Sequence, residues 1–228
     1  MGEKTYKIIF LLIFCLGCAR GLRPGYAQDL NQVLEGIHSH YKADNGLVID
    51  YRREVKTRTM SMLGNKVKGD LASGKIYVLR PDLLKVEQKS PREEALVTDG
   101  NLLWWIIPEE KKVYQYSSEQ FGQELRIIAD LWEAPSRLKN RFNITLVEEK
   151  DPSRLLLEMI PSPPWENIDR IKVQVSREFD LQVLDIINPI GTTTRFYFDK
   201  IVPAKRLTKE SFKFTVPDGF TVIHEVNQ

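Results

Sequence analysis

Apolar and polar positions along the chain change period three times, and the changes divide it into blocks. From Asp29 to Tyr41 the apolar residues Leu30, Val33, Leu34, Ile37 and Tyr41 recur at helical spacing. That spacing predicts an amphipathic helix with Asp29 as its N-cap and Gly46 closing the turn that follows. From Leu47 the period falls to two. Ile49, Tyr51 and Val55 lie on one side of a strand over Leu47 to Met62, with Asp50, Arg52 and Glu54 on the other. Gly64-Asn65 reads as a turn. Strands are then expected over Lys66 to Leu79, Leu83 to Gln88, Ala95 to Thr98, Asn101 to Ile107 and Lys112 to Tyr116. Pro81 ends the first of these, because proline has no N–H for a ladder.

The densest apolar stretch is the hairpin around Asp99-Gly100. As a two-residue turn, that step pairs Thr98 with Asn101, Val97 with Leu102, Leu96 with Leu103 and Ala95 with Trp104. Leu96, Leu103, Trp105 and Ile107 then share one face, and Val97, Leu102, Trp104 and Ile106 the other. Both faces are apolar, so the hairpin is either covered on both sides or keeps one side as a binding surface.

Helical spacing returns once. Ser117 and Gln120 fit a capping box. Phe121, Leu125, Ile128 and Trp132 form a stripe, Ile127 and Leu131 widen it, and Pro135 stops it. Ser136 to Arg141 fits one more helical turn. Strand patterning resumes at Phe142, Ile144 and Leu146. It continues through Arg154 to Ile160, Ile171 to Val175, Leu181 to Ile187, Thr192 to Ile201, Phe212 to Phe214 and Phe220 to Ile223. Roughly eleven strands with helices at the start and in the middle predict an α+β fold: one strongly curved antiparallel sheet with helices over its concave side. There is no fixed-period repeat and no linker long enough to divide residues 28–228, which read as a single domain.

The first residues follow a different logic. Lys4 and Lys7 precede the apolar run Ile8 to Leu16, too short for a membrane span, and Gly25 and Ala27 fit a peptidase site. Residues 1–27 are expected to be a signal peptide cleaved after Ala27. An alternative reading takes Leu16-Gly17-Cys18 as a lipoprotein signal with Cys18 lipidated, although Cys15 stands where such signals carry Leu. Residues 1–27 carry a net charge of +3, so their removal takes the chain from +2 to −1. The basic balance is a property of the precursor and gives no support to nucleic-acid binding. Both cysteines, Cys15 and Cys18, leave with that segment, so no disulfide is expected in an oxidising compartment.

Candidate chemistry is sparse. His38 and His40 are two apart on a predicted helix and do not share a face, and with His224 they read as surface residues. Nucleophile-elbow, dinucleotide and phosphate-loop motifs are absent. Catalytic residues, cofactor and metal are all expected to be absent. The doublets Glu93-Glu94, Glu109-Glu110 and Glu148-Glu149 read as solvated strand ends, and Asn143-Ile144-Thr145 falls within a predicted strand. Arg80 is ambiguous. Beside Pro81 in an apolar stretch, it is either a strand-end arginine in water or a buried guanidinium that needs acceptors.

Three segments carry a resemblance: Val78 to Val86 (VLRPDLLKV), Leu96 to Pro108 (LVTDGNLLWWIIP) and Phe212 to Val222 (FKFTVPDGFTV). In order and spacing the chain resembles the periplasmic outer-membrane lipoprotein carrier family, LolA. The resemblance implies an incomplete β-barrel with helices as a lid, and a cavity for lipoprotein acyl chains. Residues implied for that cavity are Leu84, Val86, Leu96, Leu103, Trp105, Phe121, Leu125, Ile128 and Trp132. Arg80, in the R-P motif, is implied as the latch that holds the lid shut. It further implies a monomer in the periplasm, loaded by the inner-membrane ABC transporter LolCDE and unloaded to the outer-membrane receptor LolB. The alternatives on the same scaffold are a membrane-anchored acceptor like LolB, lipidated at Cys18, and a periplasmic lipid- or stress-sensing module.

Overall fold

The computed structural model describes residues 29–43, 45–63, 67–117, 123–147, 149 and 151–224. The expected leader with Cys15 and Cys18, the Gly64-Asn65 turn, Gln120 of the expected capping box and Phe121 lie outside the described residues.

Twelve strands form one sheet. They are β1 (Leu47–Lys56), β2 (Asp70–Leu79), β3 (Leu83–Ser90), β4 (Glu94–Thr98), β5 (Leu102–Ile107), β6 (Lys112–Ser117), β7 (Phe142–Val147), β8 (Arg154–Pro161), β9 (Arg170–Ser176), β10 (Leu181–Ile187), β11 (Thr193–Pro203) and β12 (Thr221–His224). Their order is β12-β6-β5-β4-β3-β2-β1-β11-β10-β9-β8-β7, a curved sheet that does not close. Two antiparallel meanders meet where β1 pairs with β11 over the full length of β1. This places β6 near one edge and β7 at the other.

The chain between β6 and β7 must therefore cross from one side of the sheet to the other. It does so through α3 (Gln123–Asp130) and α4 (Pro135–Arg141), while α1 (Leu30–His40) precedes β1 and the short α2 (Arg58–Met62) lies between β1 and β2. α1 starts where the sequence places it. Asp29 Oδ1 accepts from the Gln32 amide at 2.8 Å, and Gln32 Oε1 accepts from the Asp29 amide at 3.1 Å. Its stripe of Val33, Leu34 and Ile37 is buried in a core shared with Ile127 and Ile128 of α3, Leu138 of α4 and the inner residues of the sheet. Each fully buried aliphatic side chain contributes about 1.5–3 kcal/mol, so packing on the sheet, rather than local propensity, holds these short helices.

Several expectations need correction. β12 pairs parallel to β6, so the sheet is not wholly antiparallel. The strand expected over Leu47 to Met62 ends at Lys56, and α2 follows it with Thr57 as N-cap. Phe212 lies in a 3-10 turn, Lys209–Phe212, instead of a strand. The hairpin register also differs: Thr98 faces Leu103, Val97 faces Trp104, Leu96 faces Trp105 and Ala95 faces Ile106. Asp99 Oδ1 accepts from the amides of Asn101 and Leu102, both at 2.9 Å, which centres the turn on Gly100 and Asn101. Gly100 takes the positive φ of +97°. The slip is two residues, so the side-chain faces are unchanged.

Both faces of the hairpin are covered. On the outer face Val97, Ile106 and Val113 pack under Trp104, Phe214, Val216 and Phe220. The inner face meets the helices. Among the described residues, no helix is long and apolar enough to cross a membrane.

Candidate functional site

Between the inner face and α3 the packing is incomplete. A cavity of about 260 Å³ is lined by Tyr51 and Arg53 of β1, Val86 and Gln88 of β3, and Glu94, Ala95 and Leu96 of β4. Leu103 and Trp105 of β5, Phe196 of β11 and Leu125 of α3 complete it. On β1, β3, β4 and β5 the pairs 51/53, 86/88, 94/96 and 103/105 are two apart, which is how a pleated strand presents neighbours to one face. Leu125 is the helical contribution. An apolar cavity of about 150 Å³ already takes a benzene-sized ligand, so this one has room for a segment of hydrocarbon chain.

The cavity wall is not purely apolar. Trp105 Nε1 donates to Glu94 Oε2 at 2.9 Å, and Arg92 pairs with the other Glu94 oxygen. Burial pushes the Tyr51 phenol above its ordinary value, with Arg53 opposing and Glu94 adding to the shift. Arg53 Nε is buried with no acceptor among the described residues. A buried unpaired donor is rare and marks a place where a polar group could be received.

Of the residues implied for the cavity, Val86, Leu96, Leu103, Trp105 and Leu125 line it. Leu84 instead faces a small hollow of about 20 Å³ with Asp82, Thr98, Leu125 and Arg126. Ile128 and Trp132 are fully buried in the core. The Trp132 ring lies edge-on to Tyr41 with ring centres 4.9 Å apart. Tyr51, Arg53, Gln88 and Phe196 were not singled out as site residues, and Glu94, expected as a solvated strand end, is half-buried in the wall against Trp105. The available signal was phase: Arg53, Gln88 and Glu94 each stand two residues from an apolar inner-face position.

Arg80 is half-buried at the end of β2. Its Nη1 donates to the Trp132 carbonyl at 2.9 Å, and its Nη2 to the Ala43 carbonyl at 3.4 Å. Trp132 lies just beyond α3 and Ala43 just beyond α1, so one guanidinium on the sheet touches both helical segments. His38 is half-buried too, contrary to the surface reading, with Nδ1 3.4 Å from the same Trp132 carbonyl. His40 is exposed and pairs with Asp180 at 3.0 Å. Tyr41 OH accepts from the Leu181 amide at 2.9 Å, and burial pushes that phenol up to about 12.

Beside Arg80 lies a second, polar hollow of about 280 Å³, lined by Pro81, Asp82, Asp130, Glu133, Arg137, Leu138, Asn140 and Arg141. Arg141 Nη1 donates to Asp130 Oδ1 at 2.6 Å, while Asp130 Oδ2 and Glu133 Oε1 are buried without donors among the described residues. Burial pushes the Asp130 carboxyl up to about 7, against the pull of Arg141 and Arg126. Among the described residues, no group of three His, Cys, Asp or Glu side chains is placed to hold a metal ion.

An open curved sheet, helices crossing its inner face and a largely apolar hollow between them define a half-barrel architecture. The family described as "Outer membrane lipoprotein carrier protein LolA" matches residues 61–215, and the chain belongs to that family. An outer-membrane lipoprotein carrier protein of Hahella chejuensis is 22% identical over 170 residues, covering 74% of this chain and 79% of its own. One of Dechloromonas aromatica is 25% identical over 193 residues, covering 84% and 88%. The crystal structure of an uncharacterized conserved protein from Thermus thermophilus superposes with a TM-score of 0.52 at 9% identity, covering 85% of this chain and 98% of that one. That likeness is one of fold.

Proposed function

We propose that this chain is a periplasmic carrier that shields the acyl chains of a lipoprotein during transfer from an inner-membrane ABC transporter of the LolCDE kind to an outer-membrane receptor of the LolB kind. The observation that carries the reading is the largely apolar cavity roofed by Leu125 of α3, next to helices tied to the sheet through Arg80. Exposing an acyl chain to water costs about 0.8 kcal/mol per CH₂, so a lipidated protein needs such a shelter to cross an aqueous space. The cavity at 260 Å³ takes only part of a long chain. Loading therefore requires α3 to lift, and the roof must be weakly held. Two hydrogen bonds from Arg80, each contributing about 1 kcal/mol net, suit a closure that cargo can displace. No covalent step is needed, because uptake and release are differences in hydrocarbon burial.

The test is a release assay. The chain without residues 1–27 is added to spheroplasts that make a labelled lipoprotein. Cargo is expected in the soluble fraction as a one-to-one complex with the chain. Cargo that stays in the membrane would overturn the reading.

A further inference from the structure

At one end of the sheet the chain exposes large apolar side chains that the core does not explain: Met62 at 72%, Leu63 at 56%, Leu71 at 55% and Ile190 at 74% exposure. They come from adjacent places. Lys56, the last residue of β1, faces Thr193 at the start of β11, and Val55 faces Asp70 at the start of β2. The β1–β2 connection and the β10–β11 turn therefore leave the sheet side by side. The Arg58 side chain lies directly over Gly191, with carbons 3.2–3.4 Å from where a Cβ would stand.

These apolar residues sit on built structure. Ile190 is presented by a turn in which the Gly191 amide donates to the Asn188 carbonyl at 2.9 Å and the Thr192 amide to Asn188 Oδ1 at 2.8 Å. Met62 closes α2, whose first turn is capped by Thr57 Oγ1 accepting from the Met60 amide at 3.3 Å. The β1–β2 connection is basic, while Glu54 just before it pairs with Lys56 and Asp70 follows it at the start of β2. From Val55 to Gly69 the sequence holds four basic residues and no acidic one. Of these, Arg58 and Lys68 are exposed.

The same end is where the cavity lies. Arg53 lines the cavity three residues before Lys56, about 10 Å along an extended strand. Gln88, also in the wall, is paired with Glu94 near the start of β4.

We propose that this end of the sheet is a membrane-docking surface that rests on an anionic lipid bilayer, with Met62, Leu63 and Ile190 inserted shallowly among the lipids and Arg58 and Lys68 at the phosphates. A handful of exposed apolar side chains beside basic ones is the pattern of reversible interfacial binding. Docked this way, the end of the sheet that holds the cavity lies against the membrane where a transporter or receptor would hand over cargo. The purpose of the surface rests on the carrier reading, while its existence does not.

The experiment is co-sedimentation with vesicles. The chain lacking residues 1–27, which retains every described residue, is mixed with vesicles of phosphatidylethanolamine and phosphatidylglycerol, and separately with phosphatidylcholine alone. Binding to the anionic vesicles is expected to be about tenfold tighter, and to weaken with salt. The triple variant Met62→Asp, Leu63→Asp, Ile190→Asp is expected to lose that binding. The pair Arg58→Gln, Lys68→Gln is expected to lose the salt-sensitive part. Both variants are to retain the wild-type affinity for a fluorescent fatty-acid probe, which reports an intact cavity. Equal vesicle binding by wild type and triple variant, or no binding by the wild type, overturns the proposal. A photo-crosslinker at Met62 that captures a membrane protein while vesicles are ignored overturns it in favour of a protein partner. Normal vesicle binding with no probe uptake by the wild type leaves the surface standing and removes the carrier reading.

Discussion

Arg80 and Trp132 are joined by one hydrogen bond, Nη1 to the carbonyl at 2.9 Å, across 52 residues of sequence. The acceptor is a carbonyl just past the end of α3, where the helix leaves C=O groups unpaired and the macrodipole favours a cation. The same guanidinium reaches the Ala43 carbonyl beyond α1. Arg80→Leu is expected to raise amide exchange in α1 and α3 by about five- to thirty-fold, the loss of one or two hydrogen bonds, while exchange in β1 and β11 changes little. Arg80→Lys keeps the charge but not the fork, so it restores only part of the protection. Uniform loss of protection across the sheet would show that Arg80 serves the whole fold and not the helices.

Asp130 gives the helical crossover a pH dependence of definite sign. Its folded pKa is raised to about 7 from an ordinary 3.8, mainly by burial, and Arg141 at 2.6 Å does not offset this. The folded chain therefore holds a proton that the unfolded chain has released between those two values. Stability from this group is fully present below about pH 4 and is lost as pH rises through 7. Denaturant titrations from pH 4 to 8 are expected to show that decline in wild type and a flatter profile in Asp130→Asn. Identical profiles in the two proteins would place Asp130 outside the titration.

How much of this was legible in the sequence depends on whether the signal was local. The α1 cap and stripe are local, and so is the alternation of β1. The hairpin faces were legible although the register was not. Asp99 was read as a turn centre, but its carboxylate caps Asn101 and Leu102 and moves the centre on by one residue. The pairing slips by two, and a slip of two leaves each side chain on its face. The cavity was harder. Leu125, Ile128 and Trp132 share one helical stripe, yet Leu125 lines the hollow while the other two pack solidly. That difference arises from where the crossover lies over the sheet, which no local pattern encodes. Arg53 and Gln88 were passed over, and Glu94 was taken for a solvated strand end, because an isolated polar residue in phase with apolar ones looks like noise until the opposing wall is known.

The outer face of the hairpin yields a stability prediction independent of the cavity. Phe214 lies 5.9 Å from the Trp104 ring, in the cluster that also holds Val97, Ile106 and Val113. The segment from Lys213 to Phe220 contributes no strand of its own and is held there by side-chain packing and by β12 pairing with β6. Phe214→Ala is expected to destabilise the chain by about 1–3 kcal/mol, less than for a fully buried aromatic because Phe214 is half-exposed. Trp104 emission should shift to the red. Affinity for a fatty-acid probe should not change, since this cluster and the cavity are on opposite faces. A matched loss of probe binding would mean that the two faces are coupled.

The cavity itself is best tested by filling it. Leu96 lines the hollow, half-buried, directly opposite Trp105 on the neighbouring strand. A larger ring at that position would project into open volume instead of into packed core, so the usual overpacking cost of about 1–3 kcal/mol should be at its lower end. Leu96→Trp is thus expected to keep a cooperative unfolding transition within a few degrees of wild type while weakening fatty-acid probe binding at least about tenfold. Ile128→Ala is the counterpart. It removes a fully buried side chain that does not line the cavity, so it should cost about 2–5 kcal/mol of stability and leave probe affinity nearly unchanged at temperatures where the chain is folded. If Leu96→Trp bound the probe as well as wild type, acyl chains would have to be held somewhere other than between β4, β5 and α3.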